Sequence, residues 1–246
     1  MSLVEDMMKR QSNSRIEDSG YYYTLGDKYL AKVVQSVHAC TISNGSELQR
    51  KIKEYTPKNI KVLQKKQKLT KKGTPYSTPK YISGTEPTIN DVLTAVKNKE
   101  DTFIPELIID RHEIEVVGGK LDKKCIHLDG VWIIAGQTYI TEVKEGSAFD
   151  TKKSSAEASS LNKVQKVFNN YGITNAQPLM VLWRLSNVDE ASVKSSLAKS
   201  YLITGREFCN LVGLDFDLIN KSREKDRELN RKFVKEALRE YYKHEQ

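Results

Sequence analysis

Three consecutive segments between residues 113 and 146 constrain the fold most strongly: EIEVV, KCIHLDGVWIIA and TYITEVKEG. They are rich in β-branched and aromatic residues and are separated by turns that contain glycine. This pattern is typical of consecutive antiparallel strands. Farther along, the near-continuous apolar run PLMVLWRLS predicts a strand with both faces covered, and YLIT predicts a short strand.

Helical periodicity surrounds these strands on both sides. Apolar residues recur three and four positions apart in LGDKYLAKVVQSVHA, and Ser46 is placed to cap a second helix, SELQRKIKEY. Further helices are predicted at 89–96, 154–170 and 188–199, from residue 205, and over the amphipathic tail. We therefore predict an α/β (α+β) fold in which helices flank a mixed central β-sheet.

Composition limits the class of protein. The 246 residues are 38% hydrophobic and 29% charged, which suits an ordinary globular chain with its own core. Neither a membrane-length apolar run nor a signal peptide is visible, so we expect a cytoplasmic protein without a membrane partner. Cys40, Cys125 and Cys209 form no CxxC pair, so neither a disulfide framework nor a zinc site is indicated.

The positive charge is concentrated in one block. The chain has a formal charge of +8, and residues 50–80 contain ten lysines and one arginine against one acid, Glu54. This basic block carries a net +10 on a body near −2, which favours a polyanionic partner. The alternative interpretation is a solvated loop that only confers solubility.

The central hairpin brings two carboxylates together. A two-residue turn at Gly136 and Gln137 would make Asp129 a diagonal neighbour of Glu142, on one face with Lys144. Two carboxylates beside a lysine need a compensating charge, and Mg²⁺ accepts such oxygen ligands together with phosphate oxygens. The pattern therefore indicates phosphodiester hydrolysis. The alternative is a surface ion pair of Glu142 and Lys144 on an edge strand.

These residues resemble a known nuclease family. The sequence LDG, a hairpin turn and then ITEVKEG is similar to the PD-(D/E)xK nucleases, although Leu128 stands where the family has proline. The resemblance implies that Asp129, Glu142 and the Val143 backbone carbonyl bind Mg²⁺ and that Lys144 is catalytic. It also implies a further acid before the hairpin. That acid is Glu47 in our prediction, with Glu106 and Glu113 as alternatives.

Two other segments resemble type II restriction endonucleases in particular, namely EVKEGSAFDTKKSSAEASSL and YLITGREFCNLVGL. The resemblance implies a homodimer that cuts double-stranded DNA at specific sequences. We expect two sets of DNA contacts, one after the catalytic strand and one in the basic block: Lys152, Lys153 and Ser154, and Lys61, Lys65, Lys66 and Lys68.

The predicted organisation has three parts: an N-terminal helical region with the basic arm (1–112), a restriction-endonuclease-like catalytic core (113–215) and a C-terminal amphipathic helix (216–246). Two alternatives to a restriction enzyme stay open. One is a structure-specific or repair nuclease with the same core, and the other is a DNA-binding protein without catalysis.

Overall fold

The computed structural model describes residues 20–63, 87–120, 124–146, 151–193 and 195–244, without the side chains at positions 42, 43 and 151–153. Nine α-helices lie in these ranges: α1 (Gly20–Leu25), α2 (Lys28–Glu54), α3 (Ile89–Asn98), α4 (Arg111–Val116), α5 (Thr151–Asn170), α6 (Ser196–Ser200), α7 (Gly205–Val212), α8 (Phe216–Ser222) and α9 (Glu224–His244). The same ranges contain six strands: β1 (Lys61–Val62), β2 (Thr102–Asp110), β3 (Cys125–Ile134), β4 (Gln137–Lys144), β5 (Ala176–Leu182) and β6 (Leu202–Thr204). A short 3₁₀ helix spans Val188–Glu190.

The described residues divide into two compact units. The first contains α1, α2, α8 and α9, that is, the residues up to Tyr55 and from Asp215 onward. The second contains everything from Thr56 to Leu214, including the whole sheet. The strand β2 begins eleven residues before the start that we predicted for the core at residue 113, so the sheet reaches further towards the N-terminus than the sequence pattern indicated.

The first unit is helical. Its main element, α2, is one 27-residue helix capped by Asp27, whose side chain accepts the Leu30 N–H. The prediction of two helices with Ser46 as a cap is therefore wrong, because Ser46 lies inside α2. The buried Arg223 connects the C-terminal part of this unit with α2. It donates hydrogen bonds to the backbone and side-chain oxygens of Asn44, at 3.0 and 2.8 Å.

The second unit is built on a mixed sheet with the order β1-β2-β3-β4-β5-β6. The β2–β3 and β3–β4 pairs are antiparallel, whereas β1–β2, β4–β5 and β5–β6 are parallel. The predicted α/β class with a mixed, helix-flanked sheet is thus confirmed. On one face, apolar residues of α5 such as Leu161 and Phe168 pack into the main core. On the other, Trp132 stacks on Phe103 and meets Phe208 of α7 edge to face.

Two predicted elements differ from the structure. The segment EIEVV, predicted to be a strand, lies in and just after α4, which begins with a capping box of Asp110 and Glu113. The strand before it, β2, was not predicted, because Pro105 and Glu106 interrupt its alternation. The predicted helix 188–199 is replaced by the 3₁₀ turn and the short α6. No helix within the described ranges is long and apolar enough to cross a membrane.

In both β2 and β3 the alternation of buried and outward-facing side chains is interrupted, at paired positions of the two strands. Residues Ile104 and Leu107 of β2 both belong to the main core although they are three positions apart, and so do Leu128 and Val131 of β3. The residue that permits this change is Glu106, which adopts a φ of 61° in a region where non-glycine residues are uncommon. The paired register on either side sets Glu106 opposite Asp129. The interruption therefore lies at the candidate site.

Candidate active site

The hairpin of β3 and β4 turns one residue earlier than predicted. Ile134 pairs with Gln137, so the two turn residues are Ala135 and Gly136, with φ values of 49° and 78°. Positive φ at both positions is what a type I′ turn requires. The predicted turn at Gly136 and Gln137 is therefore wrong, but the two-residue length is right.

The corrected register changes how the two acidic residues are placed relative to each other. The pairing ends at Gly130 and Thr141. One further step sets Asp129 opposite Glu142 instead of diagonal to it. A turn displaced by one residue changes the register by two, so the parity survives and both side chains stay on the same face.

The carboxylate of Asp129 accepts a backbone hydrogen bond from β4 just beyond the last paired residues of β3 and β4. Its Oδ2 accepts the Val143 N–H at 2.7 Å. On the other edge of β4 the Lys144 carbonyl accepts the Trp183 N–H at 2.8 Å. Since successive peptide groups of a strand point to opposite edges, the Val143 carbonyl lies on the β3 side together with its N–H. This position suits the predicted role of that carbonyl as a metal ligand.

The glycine of LDG has a steric role beside the site. A Cβ at Gly130 would lie 2.8 Å from Cε2 of Phe103 and 3.2 Å from Oγ1 of Thr141. The Thr141 hydroxyl donates to the Gly130 carbonyl at 2.8 Å. Gly130 therefore allows the aromatic stack to close over β3 and fixes the strand next to Asp129.

A lysine bridges two carboxylates at the end of β4. The Lys144 ammonium lies 2.6 Å from Oε1 of Glu142 and 2.9 Å from Oε1 of Glu157, which belongs to α5. The exposed fractions of these side chains are 27% for Lys144, 17% for Glu142 and 18% for Glu157. Strand β4 lies in the middle of the sheet. The alternative of a surface ion pair on an edge strand is therefore wrong.

Burial and mutual repulsion perturb the acids. Burial raises the pKa of Glu142 to about 7, and the Asp129 charge contributes, although the Lys144 ammonium opposes the shift. Burial likewise raises the pKa of Asp129, against the Val143 N–H and Lys144, while the charges of Glu157 and Glu106 add to the increase. The site therefore favours a cation that would offset the crowded negative charge.

The lysine stays an ammonium group. Burial alone would lower the pKa of Lys144, but the carboxylates of Glu142 and Glu157 outweigh it and raise the pKa above its ordinary value. A lysine in this state donates hydrogen bonds and positive charge and does not accept a proton near neutral pH.

The three candidates for a further acid lie in different surroundings. Glu106 is exposed and acts electrostatically on Asp129. Glu113 caps α4 and accepts the Tyr171 hydroxyl at 3.4 Å. Glu47 belongs to the helical unit, where it is 1% exposed and pairs with Arg50. Its role in the site stays a prediction.

Only part of the predicted DNA-contacting set lies in described positions. Lys61 is exposed on β1 and forms an ion pair with Glu100 at 2.8 Å. Ser154 is fully buried, which argues against the phosphate contact predicted for its hydroxyl. The remaining lysines lie outside the described residues or have side chains that are not described: Lys65, Lys66, Lys68, Lys152 and Lys153.

A cavity of about 440 Å³ lies between β3 and α5 and reaches the site. Glu142 and Glu157 line it, together with the β3 residues 125–128 and several small residues of α5. The sequence patterns did not identify Glu157 as a site residue. The only available signal was its position four residues before the buried Leu161 on α5, which indicates a helix face and no chemistry.

The oxygen donors at the end of the hairpin suit a hard metal ion. Among the described residues no three His, Cys, Asp or Glu side chains are grouped so as to hold a metal by themselves. Mg²⁺ differs from zinc in this respect, because it commonly takes one or two carboxylates and completes its shell with water and substrate oxygens. Asp129, Glu142 and the Val143 carbonyl are hard oxygen donors of that kind and fit Mg²⁺.

The sequence also has a relative among known proteins. The chain is similar to a type II restriction enzyme. It is 24% identical over 239 residues to the type II restriction enzyme HhaII of Haemophilus parahaemolyticus, covering 94% of this chain and 90% of that enzyme. No protein-family model matches the chain, and no solved structure matches it.

Proposed function

We propose that this protein is a Mg²⁺-dependent, sequence-specific endonuclease of the type II restriction class that hydrolyses phosphodiester bonds in double-stranded DNA. The observation that carries the proposal is the arrangement of Asp129, Glu142 and Lys144 at the end of one central hairpin. The similarity to a type II restriction enzyme over most of both chains supports the same activity.

The roles follow from the chemistry of the side chains. Asp129, Glu142 and the Val143 carbonyl would hold Mg²⁺. The ion, when bound, supplies Lewis acidity towards the scissile phosphate and a more acidic water. The Lys144 ammonium is held at the same strand end and would orient the attacking water or offset the charge that develops on the phosphate oxygens. Its raised pKa makes it a donor of charge and hydrogen bonds, not a general base.

The finer features of the proposal concern DNA binding and assembly. A palindromic target needs two sites related by a twofold axis, so we propose a homodimer. The basic block 50–80 would hold the DNA backbone through phosphate contacts. Sedimentation at several protein concentrations, with and without DNA, tests the dimer.

The activity is tested with purified protein and phage or plasmid DNA in Mg²⁺ or in EDTA. We expect discrete fragments with Mg²⁺ alone, and no cleavage by Asp129→Asn, Glu142→Gln or Lys144→Ala. The matched control is Glu115→Gln, which removes a carboxylate from an exposed ion pair with Arg111. A smear, or cuts only at branched DNA, would favour a structure-specific or repair nuclease. Binding without cleavage by the wild type would leave a DNA-binding protein.

A further inference from the structure

Glu157 is the site residue that neither the sequence motif nor the proposed roles include. It projects from α5, and its Oε1 lies 2.9 Å from the Lys144 ammonium. In the part of the chain that the structure describes, Oε2 of Glu157 is fully buried and has no hydrogen-bond partner. One oxygen of this carboxylate is therefore engaged with the lysine, and the other can accept another hydrogen.

The Lys144 ammonium is held by two carboxylates, those of Glu142 and Glu157. Glu142 already lies 2.6 Å from the Lys144 ammonium, on the same strand. In the proposed function, however, Glu142 would be a ligand of the cation and could then no longer hold Lys144 as it does here. An ammonium has three N–H donors. Lys144 can therefore redirect the N–H that now points to Glu142 towards the Oε2 of Glu157 and form a hydrogen bond there.

We propose that Glu157 is a positioning residue that holds the Lys144 ammonium in place when Glu142 binds the metal ion. This inference rests on the proposed function. Glu157 itself touches neither substrate nor metal in this role. Its effect is to keep the lysine, which is the last residue of the central strand β4, directed at the reacting phosphate.

A positioning residue and a metal ligand give different kinetic signatures. For Glu157→Gln we expect a fall in kcat of about 10²-fold, the size of effect that a misplaced catalytic group produces. The KM for DNA should not change. The affinity for Ca²⁺, which takes oxygen ligands as Mg²⁺ does, should stay at the wild-type value in calorimetric titration. Glu157→Asp keeps the negative charge and should recover part of the kcat.

Several results would overturn the inference. A loss of Ca²⁺ affinity in Glu157→Gln would make Glu157 a ligand, an unchanged kcat would make it a packing residue, and a change in KM alone would make it a DNA contact. Glu115→Gln serves as the control, and thermal unfolding of each variant establishes that it is folded. If the wild type cleaves no DNA, the proposed function fails before any variant is compared, and the positioning role fails with it.

Discussion

The buried side chain of Glu142 should lower the stability of the folded protein when it is ionised. Burial and the Asp129 charge raise its pKa from 4.5 to about 7. Because each pKa unit corresponds to about 1.4 kcal/mol, ionising Glu142 costs the folded state up to about 3.5 kcal/mol relative to the unfolded chain. Only 17% of the side chain is exposed, so solvent screening removes little of this cost.

The direction of the pH dependence follows from the raised pKa. Below pH 4.5 the carboxyl is protonated in both states and the cost is absent. As the pH rises from 4.5 to 7 the unfolded chain loses its proton first, so folded-state stability falls, and above pH 7 the full cost is present. Glu142→Gln has no titrating group, so its advantage over the wild type should grow across this window.

The measurement is urea unfolding in EDTA at pH 5, 6, 7 and 8, followed by circular dichroism. We expect Glu142→Gln to be about 1–3 kcal/mol more stable than the wild type at pH 8, and the difference to shrink to less than about 1 kcal/mol at pH 5. The same variant should be inactive on DNA. Glu115→Gln, which removes an exposed carboxylate, should show no such trend. A variant that is less stable at pH 8, or a difference that does not change with pH, would refute the reasoning.

Three further predictions can be tested independently. Gly130→Ala should destabilise the protein by about 1–3 kcal/mol in thermal unfolding, because its Cβ would lie 2.8 Å from the Phe103 ring; an unchanged melting temperature would show that the ring yields freely. Mg²⁺ should raise the melting temperature of the wild type but not of Asp129→Asn or Glu142→Gln; equal increases in all three would place the ion elsewhere. Replacing Lys61, Lys65, Lys66 and Lys68 together by alanine should weaken binding to every DNA sequence and reduce the dependence of affinity on salt; an unchanged slope would leave the basic block a solubility feature.

The sheet was predictable where alternation and glycine turns are strong. The β3–β4 hairpin is an example, because its β-branched and aromatic residues leave few alternatives. Its exact turn was not predictable, since Ala135 at φ 49° is an unfavoured choice for the first turn position. The strand β2 escaped prediction for a related reason. Glu106 reverses the inward face halfway along it, so neither half shows a long alternation.

The candidate site was predictable only along the hairpin, where covalent neighbours share one register. Asp129, Glu142 and Lys144 belong to two adjacent strands, so a single turn of known length brings them together even when its position is wrong by one residue. Glu157 lies on the helix after the hairpin, and its position relative to Lys144 depends on how α5 packs on the sheet. No local sequence pattern predicts that packing. The same packing places the Glu157 carboxylate against the Lys144 ammonium. The position of this lysine therefore depends on the core between α5 and the sheet. Substitutions in that core, such as Leu161→Ala, should therefore lower kcat as well as stability.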